Sequence, residues 1–238
     1  MSLPDIAFPV FLDLRKRLAV VIGQGAAAER KAHQLLKYGA DVVVIGPDPS
    51  MTLVQAEAEG LLNLERRVYS RGDLAGAAIV ICLEDDANLR RFILAEAAER
   101  GCLVSVPDAP DSSNFSMPST VRRGSLQIAI STAGQVPEVA RQAKMLVQDE
   151  FGEEWAEYAS LMSHLRAALA ATRPAEERRK VMDAVIASDV LERIREGQAL
   201  DVAALVEEFG SPRAEAGQTG AVEAEAAEAA DNHVEADA

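Results

Sequence analysis

Residues 18 to 45 constrain the fold more than any other part of the chain. Leu18 to Ile22 (LAVVI) is a β-branched run that breaks at Gly23-Gln24-Gly25. Apolar positions then recur at Ala28, Ala32, Leu35 and Leu36, a helical spacing ended by Gly39. Asp41 to Ile45 (DVVVI) follows at once and stops at Gly46-Pro47-Asp48. Strand, tight turn, helix and strand within about 30 residues form a βαβ unit, which requires two parallel strands joined by a crossover helix.

The alternation continues through a helix around Thr52 to Glu59, a strand around Leu64 to Val68, an apolar run Ala77 to Leu83, a helix Asn88 to Arg100 closed by Gly101, and Cys102 to Val106. Near-continuous apolar strands between helices indicate a parallel sheet covered on both faces, an α/β doubly wound fold of Rossmann type. Pro107 to Pro118 breaks the pattern. Two short strands, Ser119 to Val121 and Leu126 to Ile130, flank Arg122-Arg123-Gly124 and predict a hairpin. Pro137 opens a helix to about Gln148. From about Glu153 to Phe209 every segment has helical period, with Pro174 opening one helix, Gly197 closing another, and Ser188 or Asp189 available to cap a third.

Four regions result: 1–112, a dinucleotide-binding domain; 113–150, a hairpin-containing segment; 151–210, a small α-helical domain; and 211–238, an acidic tail. The tail has few bulky apolar residues and reads as disordered. It also changes the meaning of the net charge, −14 overall, because residues 214 to 238 hold seven acids and no Lys or Arg. The body is therefore near −7, still acidic enough to argue against a non-specific nucleic-acid binder. Cys82 and Cys102 suggest neither a disulfide framework nor a zinc site, and no apolar run has the length of a membrane helix. A soluble, cytoplasmic setting without a membrane or nucleic-acid partner is the expectation.

Gly23-Gln24-Gly25-Ala26-Ala27-Ala28 has the form GxGxxA at a strand-to-helix turn. The first Gly permits the turn, the second lets a pyrophosphate approach the helix N-terminus, and a small third residue packs helix on sheet. Asp48, just past the second strand, is placed to bind a ribose diol or to serve as a plain turn residue; with no Arg or Lys beside it, NAD is favoured over NADP. Asp108 follows the last strand of the sheet. It emerges where open α/β sheets bind ligands and could accept a proton, although on the residues alone the turn-former reading is the stronger. Between Pro107 and Met145 the segment is net +1, with Arg122, Arg123, Arg141 and Lys144, which suits a polyanionic substrate or an ordinary solvated face. His33, His164 and His233 have no metal-ligand spacing, no GxSxG elbow is present, and Trp155 with Tyr158 reads as core.

The ordered set FPVFLDLRKRLAVVIGQGAAAERKAHQLLKYGADVVVIGP, EDDANLRR, VSVPDAP, FSMPSTVRRGSLQIAISTAG and VPEVARQ resembles the precorrin-2 dehydrogenase family, the NAD-dependent module of siroheme synthases. Some members are also sirohydrochlorin ferrochelatases. The resemblance implies a homodimeric oxidoreductase that binds its tetrapyrrole in a cleft and oxidises precorrin-2 to sirohydrochlorin, with residues 113–150 as the dimerisation and substrate-cleft segment. It places the family's catalytic aspartate on Asp108, which would also be the metal-binding residue in a chelatase. It places cofactor contacts on Gly23, Gln24, Gly25, Ala26, Ala27, Asp48, Glu84 and Asp85, and substrate contacts on Ser131, Thr132, Arg122, Arg123, Arg141 and Lys144. Precorrin-2 carries eight carboxylates, which would give those cations a purpose. Departures from the family pattern are Gln24 for a glycine, Glu84 for a threonine, and Ala133-Gly134-Gln135-Val136-Pro137 for Gly-Gly-Lys-Ser-Pro. The alternative is a non-catalytic NAD-sensing module, which accounts for residues 18 to 48 but gives no role to Asp108, the hairpin or Ser131 to Gly134.

Overall fold

A computed structural model describes residues 8–210; the acidic tail at 211–238 lies outside the described residues. Five parallel strands form the main sheet: β1 (Leu18–Ile22), β2 (Asp41–Ile45), β3 (Asn63–Glu65), β4 (Ile79–Cys82) and β5 (Leu103–Ser105), in the order β3-β2-β1-β4-β5. The central strand β1 aligns Val20 with Val43 of β2 and with Val80 of β4. The order reverses at β1, so the crossovers leave a crevice beyond the carboxyl ends of β1 and β4.

Strand alternation divides the core. Ala19 and Val21 join Val42 and Val44 on the face covered by α1 (Gly25–Leu36) and α2 (Met51–Ala58), while Val20, Ile22, Val80 and Cys82 lie on the face covered by α3 (Ala87–Arg100). Both faces are apolar because both are covered, which explains the unbroken hydrophobic strand sequences. Ala28 is fully buried, as the GxGxxA reading requires for close packing of helix on sheet.

The third strand is shorter than its sequence suggests. It ends at Glu65, where the Arg67 N–H turns back to the Glu65 carbonyl at 2.8 Å, and residues 66 to 68 leave the sheet. After β5 the chain makes the turn containing Asp108 and a short 3-10 segment, Pro110–Ser112. Ser113 and Asn114 then fold back along β5. Asn114 Oδ1 accepts from the Val104 N–H at 2.7 Å and Ser113 Oγ accepts from the Val106 N–H at 2.8 Å.

The expected hairpin is present as β6 (Ser119–Arg123) and β7 (Leu126–Ile130), with Gly124 at φ +56° in its turn. It is followed by α4 (Pro137–Glu150), α5 (Glu154–Thr172), α6 (Ala175–Ile186), α7 (Val190–Arg195) and α8 (Val202–Gly210). Pro174 occupies the position before α6, and Gly197 at φ +81° closes α7. The Asp189 side chain gives no cap; the Ser188 hydroxyl accepts from the Val190 N–H instead.

The chain divides into two units, one reaching Val121 and including Ile128–Gln148, the other containing Arg122–Gln127 and the residues from Asp149 on. Leu161, Leu165, Leu169, Val181, Val185, Val190, Ile194 and Leu205 form the separate core of the second. No helix among the described residues is long and apolar enough to cross a membrane.

Candidate functional site

The β1–α1 turn and the end of β2 pass so closely that only glycine fits. A Cβ on Gly46 would lie 2.4 Å from the Gly23 carbonyl oxygen, and one on Gly23 would lie 2.7 Å from Leu83 Cβ. Gly23 itself takes φ +139°, and its N–H donates to the Ile45 carbonyl at 2.9 Å. These approaches bring the carboxyl ends of β1, β2 and β4 around one cleft of about 330 Å³. Gly25, at φ +69°, has open space where a side chain would stand. The Gln24 side chain makes no capping bond, so the first turn of α1 keeps N–H groups available to an anion. A glycine turn opening onto an uncapped helix N-terminus fits the diphosphate of a dinucleotide.

Of the residues on which the resemblance places cofactor contacts, Gly23, Gln24, Glu84 and Asp85 line this cleft. Gly25, Ala26, Ala27 and Asp48 do not line it. Ala26 and Ala27 lie within the first turn of α1, and Asp48 is exposed in the bend after β2. Pro47, its neighbour, takes the lining position there. Gly46, Arg67, Val68 and Tyr69 were not singled out by sequence reasoning. Gly46 could have been found from its place directly after an apolar strand. The other three could not, because they reach the cleft only through the early end of β3.

The wall formed by Val68 and Tyr69 is fastened from behind. Glu96 on α3 is 1% exposed, and its carboxylate accepts from the Tyr69 hydroxyl, from the Gly72 N–H at 2.9 Å and from Arg100 Nε at 2.6 Å. Burial alone would raise its pKa, but these donors outweigh that cost and hold the carboxyl down at about 2. Burial and the adjacent carboxylate push the Tyr69 phenol up. Arg67 is held by Asp73 at 2.7 Å and by Glu65 at 3.3 Å.

The opposite wall is acidic, but its carboxylates are partly occupied. Asp86 caps α3 by accepting from the Asn88 N–H at 2.8 Å, and Glu84 Oε1 accepts from the Asp86 N–H at 3.1 Å. Glu84 thus turns its charge onto local backbone.

Asp108 is exposed in the turn beyond β5, and the Ala109 N–H closes that turn onto the Val106 carbonyl at 3.0 Å. The turn reading and the sheet-edge reading therefore both describe its position. Ser131 and Thr132 are used locally: the Ser131 hydroxyl accepts from the Ala133 N–H, and the Thr132 hydroxyl donates to the Val136 carbonyl, both at 3.1 Å. Arg141 is exposed and Lys144 half-buried on α4. In the other unit, Arg122 donates to the Gly124 carbonyl at 3.0 Å. The Arg123 side chain is 13% exposed and donates to the Phe151 carbonyl at 2.8 Å, so its guanidinium fastens the hairpin turn to the start of α5. No group of three or more His, Cys, Asp or Glu residues is arranged to hold a metal among the described residues.

Residues 10–119 match the family described as putative NAD(P)-binding. A siroheme synthase of Methylobacillus flagellatus is 35% identical over 161 residues, covering 68% of this chain and 34% of its own length. One from Pseudomonas paraeruginosa is 31% identical over 201 residues, covering 84% of this chain and 43% of its own. The chain thus spans well under half the length of these relatives. The structure of SirC, a precorrin-2 dehydrogenase, superposes with a TM-score of 0.73 at 21% identity, over 86% of this chain and 99% of that one, and so shares the fold. Through the glycine turn and the switch-point cleft, the chain is similar to the putative NAD(P)-binding family over residues 10–119 and to siroheme synthases over 68–84% of its length.

Proposed function

We propose that the protein oxidises precorrin-2 to sirohydrochlorin with NAD+, in the synthesis of siroheme or a related modified tetrapyrrole. The observation that carries this reading is the glycine-built cleft at the switch point, in the same unit as a sheet-edge aspartate whose carboxylate has no partner among the described residues. NAD+ supplies the acceptor for the hydride leaving the substrate. Asp108 takes the accompanying proton, so that the ring system loses two hydrogens without net charge accumulating on it. The α1 N-terminus and the Gly23–Gly25 turn bind the cofactor's diphosphate, and Asp48 reaches the ribose diol from the β2 bend. Arg141 and Lys144, in the same unit as Asp108, supply cations for the substrate carboxylates. Arg123 acts through the hairpin it fastens. Ser131 and Thr132 shape the turn leading into α4, where their hydroxyls and backbone meet the substrate.

Purified protein with NAD+ is expected to convert precorrin-2 with the matching change in visible absorbance. Asp108→Ala should lower the rate by about 10²-fold or more while leaving NAD+ affinity unchanged. Well-folded, NAD-binding protein that leaves precorrin-2 untouched would overturn the assignment. Calorimetric titration with sirohydrochlorin separates the enzyme from a nucleotide sensor, which should ignore the tetrapyrrole. Metal insertion is a distinct activity: iron or cobalt incorporation above the uncatalysed rate, abolished by Asp108→Ala, would add a chelatase to the dehydrogenase.

A homodimer and a cytoplasmic location complete the proposal. Val139, Met145 and Leu146 are exposed on α4, where Ala140 is the buried residue, and a second copy covering that face would remove an apolar surface from water. Sedimentation of the wild type and of Leu146→Glu tests this, with a shift toward monomer expected in the variant.

A further inference from the structure

The helical unit contains a second cleft, of about 440 Å³, between α5 and α6. Its polar groups are all cationic: Arg166 from α5, and Arg178 and Arg179 from α6, around Ala170, Ala175 and Met182. Among the described residues neither Arg166 nor Arg178 has an ion-pair partner, and Arg179 reaches only Asp183, at 3.6 Å between two well-exposed side chains. The nearby acids are partly engaged elsewhere, since Glu176 pairs with Lys180 at 3.1 Å. Three arginines around an apolar floor of Ala170, Ala175, Met182 and Ile186 make a surface complementary to a chain bearing carboxylates on a small-residue backbone.

This chain contains such a segment. Residues 214 to 238 hold Glu215, Glu223, Glu225, Glu228, Asp231, Glu235 and Asp237, no Lys or Arg, and mostly alanine between them. The described chain also delivers it to the right place. Arg173, in the turn between α5 and α6, donates to the carbonyl of Gly210, the last residue of α8. Ala170 and Ala175, at the edge of the cleft, are only three and two positions from Arg173 in sequence. The groove runs along α6, whose 12 residues span roughly 18 Å, and an extended segment of about six residues covers that distance. Tethering so close to its target gives the segment an effective concentration in the millimolar range, which lets individually weak surface ion pairs add to stable occupancy.

We propose that the acidic segment 214–238 docks into the arginine groove between α5 and α6 of its own chain. Docking neutralises a cationic surface that would otherwise attract unrelated polyanions, and it is independent of the dehydrogenase reading.

The test uses the full-length protein and a glutamate-specific protease, with cuts in the tail followed by mass spectrometry. At about 20 mM salt the tail should be cut at least about fivefold more slowly than a free peptide of residues 211–238, and at about 0.5 M salt the two rates should converge. Arg166→Glu/Arg178→Glu/Arg179→Glu should abolish protection at low salt while the melting temperature and NAD+ affinity stay unchanged. Should that variant fail to fold, the salt comparison with the free peptide decides alone. Equal cutting of chain and peptide at low salt overturns the proposal. So does protection that disappears on dilution, which would place the tail on a second copy.

Discussion

Gly46 shows how one position can hold a site together without offering any functional group. Its missing side chain admits the Gly23 carbonyl, and with it the turn that opens onto α1. Gly46→Ala would drive a methyl group against backbone at 2.4 Å, and neither strand end can retreat without disturbing sheet pairing. We expect a loss of roughly 1–3 kcal/mol in chemical denaturation and at least about a tenfold weaker NAD+ affinity by calorimetry. Ala133 is the opposite case. It holds φ +53°, a conformation suited to glycine, in the turn after Thr132. Ala133→Gly should remove that strain and raise stability by roughly 0.5–1 kcal/mol, net of the greater flexibility of the unfolded chain. The GxG pair was legible in the sequence because glycines between strand and helix carry a stated geometric meaning. Asp48 was legible both as a ribose ligand and as a bend residue, since spacing along the chain does not say whether the side chain or its proline neighbour faces the cleft.

Among the elements, α3 does more than cover the sheet. Its Glu96 fastens the segment from Tyr69 to Gly72, so a helix on one face governs a wall of the nucleotide cleft. The folded carboxyl titrates at about 2 against 4.5 for an ordinary glutamate. Its contribution is therefore complete above about pH 4.5 and lost as the pH falls toward 2. Melting temperatures between pH 7 and pH 3 should decline less steeply in Glu96→Gln than in the wild type, and the variant should bind NAD+ more weakly at neutral pH. Strand and helix periodicity located every element to within a few residues, apart from the overlong third strand. Periodicity could not show that network, because a glutamate on a helix with an apolar face reads as solvated until its partners, 24 and 27 positions away, are brought beside it.

At the scale of the whole molecule, two hydrophobic cores are built independently, one pair of layers around the sheet and one among α5 to α8. Leu165, fully buried in the helical core, should cost roughly 2–5 kcal/mol when replaced by Ala, with NAD+ affinity nearly unchanged. Fold class and the helical character of the second unit were readable from hydrophobic period alone. The grouping of Arg122–Gln127 with the helices was not, because it depends on Arg123 reaching Phe151 across 28 positions.

The five-stranded sheet ends in two outer strands, and each has a polar side chain laid along it. Asn114 occupies the Val104 N–H of β5, Ser113 that of Val106 just beyond it, and the Glu57 carboxylate accepts the outward Leu64 N–H of β3 at 3.1 Å. Unpaired strand margins recruit strands from neighbouring molecules, so these few side chains act as a brake on sheet growth in a crowded solution. Asn114→Ala should leave the fold in place yet scatter more light on gentle heating, a colloidal defect arising from the loss of a single amide.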